Sequence, residues 1–238
     1  MSDQIKTDRI KTDRINTALI VGASRGIGFE FARQYRADKW EVIGTARDDS
    51  GLDRLATLGV KTLKIDVTDP VAAPILEKRL ATATLDLAIF CAGVYGSRTQ
   101  KLERPPDDEF DAVMRTNVLA AMRLAPLTGP ALARAKGTLA VVSSRMGSIG
   151  GRDGTAGWLY RASKAALNSA LKDMSLVLGP QGVNCVTLHP GWVRTDMGGA
   201  GAALDVATSV SGLRRTLAGV TPAMNGSFLN YDGSVIAW

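Results

Sequence analysis

Residues 17–28 read Thr17-Ala18-Leu19-Ile20-Val21-Gly22-Ala23-Ser24-Arg25-Gly26-Ile27-Gly28. An apolar run stops at a glycine, two more glycines follow at Gly-x3-Gly-x-Gly spacing, and helical sequence continues to about Asp38. The segment therefore reads as strand, tight turn and helix start. Glycines let backbone come close to a ligand, and the first turn of a helix offers free N–H groups at the positive end of its dipole. That combination suits a pyrophosphate. The loop is read as a dinucleotide cradle, with Gly22, Ser24, Arg25, Gly26, Ile27 and Gly28 against the ligand.

Outward from this loop the chain alternates. Apolar, β-branched runs lie at 17–22, 40–45, 60–65, 85–92, 137–143 and 183–188, with a short last strand at 226–231. Helical stretches fill 26–38, 70–81, about 107–125, 157–178 and about 203–218. Strands alternating with helices imply βαβ units. Runs that are apolar throughout imply strands covered on both faces. The expected class is α/β: a single-domain Rossmann fold, with a doubly wound parallel sheet of about seven strands and helices on both faces. No Pro/Gly/Ser linker divides residues 17–238, which are taken as one domain holding the cofactor, catalytic and substrate-binding parts. Residues 1–16 stand apart. Ile5-Lys6-Thr7-Asp8-Arg9 repeats as Ile10-Lys11-Thr12-Asp13-Arg14, and the segment is expected to be a flexible leader.

Composition narrows the function classes. At 45% hydrophobic and 22% charged residues, the chain is neither disordered nor collagen-like. Two cysteines cannot make a disulfide framework, so Cys91 and Cys185 are expected in buried strands of a cytoplasmic protein. No apolar run reaches the ~18–20 residues of a membrane span, so no membrane partner is expected. The net charge of +6 points to an anionic partner. The cations are not clustered among aromatics, so nucleic acid is set aside for a phosphorylated small molecule. The single histidine, His189, argues against a metal site and is expected to be structural. Arg214 and Arg215 are expected to be solvated.

The tip of the second strand tests which dinucleotide is bound. An acid there would hold the adenosine ribose, whereas an Arg would grip a 2′-phosphate. The sequence runs Val42-Ile43-Gly44-Thr45-Ala46-Arg47, with Arg25 available from the glycine loop. This favours NADP(H), with NAD(H) the weaker alternative because Asp48 and Asp49 follow. Farther on, Tyr160-Arg161-Ala162-Ser163-Lys164 places a phenol and an ammonium on one helix face. A nearby cation favours phenolate, so Lys164 is expected to lower the Tyr160 pKa. Tyr35 and Lys39 share this spacing but lie on the helix after the glycine loop, so Tyr35 is read as structural. Tyr160 follows the strand that ends Val142-Ser143-Ser144, and parallel sheets bind ligands at such carboxyl ends.

These motifs together resemble the short-chain dehydrogenase/reductase (SDR) family over nearly all of residues 17–238. Gly22, Gly26 and Gly28 match its glycine motif, with Val21 in place of the usual Thr. Asp66-Val67 matches the pair that contacts adenine. Ala92-Gly93 matches the end of an Asn-Asn-Ala-Gly motif whose asparagines are here Phe90 and Cys91. Asn117, Ser144, Tyr160 and Lys164 match the catalytic tetrad, with Ser143 the fallback for Ser144. Pro190, Gly191, Val193 and Thr195 match the nicotinamide side of the cofactor site. The long interval from Ser144 to Tyr160 resembles the carbonyl-reductase and C-signal-like branch. The resemblance implies hydride transfer between nicotinamide and a carbonyl or alcohol carbon. In it Tyr160 is the acid/base, Ser144 holds the oxygen, Lys164 holds the ribose, and Asn117 positions a proton-relay water. It also implies a homodimer or homotetramer. The alternative is a dinucleotide-binding signalling or regulatory protein with little turnover. Segment 196–203 reads as a short lid with no cation, which suggests a small uncharged carbonyl or alcohol substrate.

Overall fold

The computed structural model describes residues 14–238. Its strands are β1 (Thr17–Val21), β2 (Glu41–Ala46), β3 (Lys61–Lys64), β4 (Leu87–Phe90), β5 (Thr138–Val142), β6 (Asn184–His189) and β7 (Ser227–Asn230). Its α-helices are α1 (Gly26–Ala37), α2 (Asp49–Ala56), α3 (Ala72–Leu80), α4 (Asp107–Met114), α5 (Ala120–Leu124), α6 (Gly129–Ala135), α7 (Trp158–Leu178) and α8 (Val206–Ala218). The strands form one parallel sheet in the order β3-β2-β1-β4-β5-β6-β7. This is the doubly wound Rossmann arrangement that the alternation predicts.

Period-two geometry explains why the strands are apolar throughout. In β1, Ala18 and Ile20 join Phe31 and Tyr35 of α1, Leu55 of α2 and Leu213 of α8 on one face. Leu19 and Val21 point the other way and meet Leu76 of α3, Leu124 of α5, Leu132 of α6 and Leu171 of α7. Each β1 side chain thus belongs to one of two cores, and none of the last four is exposed. β3 departs from the expectation. Lys61, Thr62 and Lys64 are exposed, because an edge strand has a neighbour on one side only and is less well covered.

Two helices are absent from the periodicity reading. α2 is short and polar, and forms because Asp48 caps it, accepting the Gly51 N–H at 2.7 Å. α6 starts directly after the 3₁₀ turn at Pro126–Thr128. The helix expected over about 107–125 is α4 and α5 joined by a π-helical turn, Arg115–Leu119. Cys185 is buried in β6, as expected. Cys91 lies one residue beyond β4 and is only partly buried, because the chain there is leaving the sheet for the crevice.

Residues 1–13 of the expected leader lie outside the described residues. Arg14 reaches Asp86 at 2.6 Å, and the second Asp86 oxygen accepts the Thr17 N–H at 2.7 Å. Among the described residues, no helix is long and apolar enough to cross a membrane.

Leu19 is fully buried at the centre of the sheet. Replacing it with Ala removes buried methyl groups from a site that cannot collapse. Leu19→Ala should lower unfolding free energy by about 2–5 kcal/mol, read by urea denaturation.

Candidate active site

The strand order reverses at β1. β2 and β3 lie to one side and β4 to β7 to the other, so the loops after β1 and β4 part and open a crevice. Gly22 sits there at φ 82°, and a Cβ on it would lie 2.7 Å from the Ala92 backbone nitrogen. A Cβ on Gly28 would lie 2.2 Å from the Gly22 carbonyl oxygen. Neither position admits a side chain. Ser24 and Arg25 bridge Gly22 to Gly26, and Ile27 packs into the core beneath α1. No side chain caps α1 and its first turn holds no acid. The cradle therefore fits an anion at an uncapped helix N-terminus.

Beside it the cations gather. Arg47 follows β2 and is exposed. Asp48 caps α2 through one oxygen while the other lies 3.9 Å from Arg47 Nε, and Asp49 pairs with Lys64 at 2.7 Å. Arg54 donates to the Ser24 carbonyl at 3.2 Å, adding a guanidinium that sequence reading missed because it missed α2. Arg25 also reaches an acid. It pairs with Asp196 at 2.9 Å, since the segment after β6 folds over the glycine loop. Asp66 is held in a tight turn by Thr68, whose N–H and hydroxyl it accepts. Those bonds keep its carboxyl below the usual range. Val67 packs on the core beside it.

On the other side of the crevice, Tyr160 and Lys164 lie on α7, both buried. Ser144 lies beside the Tyr160 phenol and lines a cavity of about 360 Å³; its Oγ accepts the Met146 N–H at 3.2 Å, and the phenol hydroxyl points to Met197 Sδ, 4.0 Å away. Ser143 instead is buried with its hydroxyl unpartnered, which favours Ser144. Lys164 Nζ donates to the Val142 carbonyl at 3.0 Å and lies 5.6 Å from the centre of the Tyr160 ring. Gly93 makes room for this, because a Cβ there would lie 3.4 Å from Lys164 Nζ. Asn117 sits in the π-helical turn, a feature frequent at functional sites. Its Oδ1 accepts the Val94 N–H at 2.8 Å, and its Nδ2 donates to Val94 O and Ser163 Oγ. These bonds anchor the loop after β4 against α7.

Pro190 accepts the Ser209 hydroxyl at 2.6 Å, Gly191 adopts φ 81°, and Val193 forms a single bridge with Leu204. The Thr195 hydroxyl accepts the Gly198 N–H at 3.0 Å, holding the root of the expected lid. Missed altogether was Tyr95, stacked on Tyr160 with ring centres 4.4 Å apart. Arg145 and Arg161 also line the cavity. Only the position of Arg161 beside Tyr160 hinted at it in sequence.

Against known proteins, the short chain dehydrogenase family matches residues 16–203. The chain belongs to the short-chain dehydrogenase family. C-signal from Myxococcus xanthus is 38% identical over 163 residues, 67% of this chain and 96% of that protein. A Burkholderia multivorans short-chain dehydrogenase/reductase with bound NADP superimposes with TM-score 0.86 at 31% identity, covering 94% of this chain and 100% of that one. An NADPH-bound carbonyl reductase from chicken fatty liver gives TM-score 0.84 at 32% identity, with the same coverage of each chain.

Electrostatics in this short-chain dehydrogenase follow from burial. Burial pushes the Tyr160 phenol above its usual range, outweighing the neighbouring Ser144 hydroxyl, which lowers it. The Lys164 ammonium donates to Val142 O and lies over the Tyr160 ring. Burial also brings Lys164 down to about 8. Tyr35 is structural, packed between Phe31 and Trp40. Arg214 is not solvated. It lies over the Tyr35 ring at 4.4 Å and pairs with Asp38, because α8 packs on α1. His189 accepts the Arg145 N–H at its Nδ1, 3.1 Å away. Burial, then the Arg145 charge, bring its pKa from 6.5 to about 4.

The unfolded chain therefore binds a proton at His189 between pH 6.5 and 4 that the folded chain refuses. Stability should fall as pH drops through that window and this contribution should level off below it. His189→Asn, which keeps an acceptor for Arg145, should flatten that part of the slope in urea titrations.

Proposed function

We propose that this short-chain dehydrogenase is an NADP(H)-dependent oxidoreductase that interconverts a small carbonyl compound and a secondary alcohol. The observation that carries the reading is the convergence of Ser144, Tyr160 and Lys164 beside the cavity, across the crevice from the glycine cradle. Gly22, Ser24, Gly26, Ile27 and Gly28 hold the pyrophosphate. Arg47, with Arg25 and Arg54, holds the 2′-phosphate, and the presence of these guanidiniums beside the cradle supports NADP(H) over NAD(H). Asp66 and Val67 flank the adenine. Ala92, Gly93, Pro190, Gly191, Val193 and Thr195 border the nicotinamide. When bound, the reduced nicotinamide supplies the hydride taken up by the carbonyl carbon.

The chain's own residues handle the proton. Burial keeps Tyr160 as the neutral phenol, the form that donates to the developing alkoxide in reduction. Ser144 hydrogen-bonds the same oxygen. Lys164 holds the nicotinamide ribose and carries the replacement proton toward the phenol. Asn117 fixes the loop after β4 against α7. Residues 17–238 act as one catalytic domain in the cytoplasm, with no nucleic-acid or membrane partner. A second reading, a dinucleotide-binding regulatory protein with little turnover, draws on the likeness to C-signal.

A panel of small aldehydes and ketones with NADPH and NADH decides between them. Wild type should reduce several with NADPH. Tyr160→Phe should cost about 10²–10⁴-fold in kcat, the worth of one acid/base group. Arg47→Ala should raise KM for NADPH far more than for NADH. Tight NADPH binding without Tyr160-dependent turnover on any carbonyl overturns the reductase in favour of the regulatory reading.

Apolar side chains also stay exposed on the helices after β4 and β5. Leu119 and Met122 lie on one, Leu176 and Val177 on α7. These faces support a homodimer or homotetramer. Light scattering should give at least twice the chain mass, and a monomer mass at working concentration refutes it.

A further inference from the structure

Arg161 is a cation in an unfavourable place. It lies in the first turn of α7, where the helix dipole disfavours positive charge. Its side chain is only 9% exposed. Nε donates to the Ala156 carbonyl at 3.0 Å, and neither terminal nitrogen makes a hydrogen bond among the described residues. The nearest acid, Asp153, is 4.0 Å away with its side chain 93% exposed, so water screens it. A buried charge without a hydrogen-bonded counter-charge is costly. Arg161 lines the cavity that Ser144 also lines, together with Arg145, Asp153 and His189. Trp192 supplies an apolar side.

We propose that this cavity takes a carbonyl substrate bearing a carboxylate, which Arg161 grips as a planar fork while Arg145 adds a second cation at the rim. The proposal rests on Ser144 and Tyr160 being the reacting centre. It replaces the uncharged substrate suggested by the lid segment, because the cations lining the cavity come from outside that segment. A carboxylate fits better than a phosphate. One charge matches the single buried guanidinium, and a second would face Asp153. At about 360 Å³, the cavity suits a molecule of one ring or a short chain.

The test measures benzoate and phenyl phosphate binding to the full chain by calorimetry, with and without NADP⁺. Turnover of 3- and 4-carboxybenzaldehyde is compared with that of their methyl esters. Arg161→Met should weaken benzoate binding about tenfold or more, with Arg161→Lys intermediate. Asp153→Asn, which removes the competing acid, should tighten it. Wild type should prefer the carboxybenzaldehydes over their esters in kcat/KM, and Arg161→Met should bring that ratio toward one. Benzoate binding unchanged by Arg161→Met, or phenyl phosphate bound more tightly than benzoate, overturns the proposal. If Arg161→Met does not fold, Asp153→Asn decides: tighter benzoate binding supports the proposal and unchanged binding overturns it. Arg161-dependent benzoate binding without reduction of any aldehyde keeps the carboxylate site but sinks the reductase, and with it the site's role in holding a substrate. Tyr160-dependent reduction with no carboxylate preference does the reverse.

Discussion

The structure depends on a contact that no side chain can enter. At the reversal of strand order, the end of β1 meets the end of β4 backbone to backbone, with room for only a hydrogen on Gly22 opposite Ala92. The Gly28 Cα lies under the Gly22 carbonyl with the same stringency. These approaches turn the chain from β1 into α1 and leave the first turn of α1 open to the crevice. Gly93, one residue farther along the facing strand, lets Lys164 and Asn117 close on the other side. One steric rule therefore shapes both the glycine cradle and the ground on which α7 rests.

Around that ground, burial sets the chemistry. Tyr160 and Lys164 are removed from water together, so each is driven toward its neutral form. The site is stabilised from behind by Val142, Val94 and Ser163, which take up the hydrogen bonds of Lys164 and Asn117. Desolvated polar groups are tolerable because these partners are backbone or small hydroxyls already fixed by the sheet and by α7.

The positive surplus, unspecific as composition, separates into jobs once the chain is folded. Arg14 ties the start of β1 to Asp86, and Arg214 clamps α8 to α1. Arg47 and Arg54 border the cradle. Arg25 spans from the cradle to Asp196, linking the glycine loop to the lid. Arg145 and Arg161 line the cavity ahead of Ser144. A basic balance here is a set of local placements rather than a field aimed at a polyanion.

Much of this was legible in residues alone. The glycine spacing, the two-sided apolar strands and the Tyr160–Lys164 pair depend on neighbours in sequence, where periods of two and 3.6 and steric exclusion act locally. They determined the α/β class, the cradle and the catalytic helix. What sequence could not show is held by contacts across long separations. The polar α2 forms by a cap and brings Arg54 to Ser24. The π-helical turn swings Asn117 toward Val94, and Tyr95 reaches Tyr160 from another loop. The Lys164 ammonium meets a strand carbonyl that no local pattern reveals. Arg161 stands next to Tyr160 in sequence, and only packing shows it buried. Pattern reports which face a residue takes, whereas burial, partner and charge state come from what the rest of the fold lays against it.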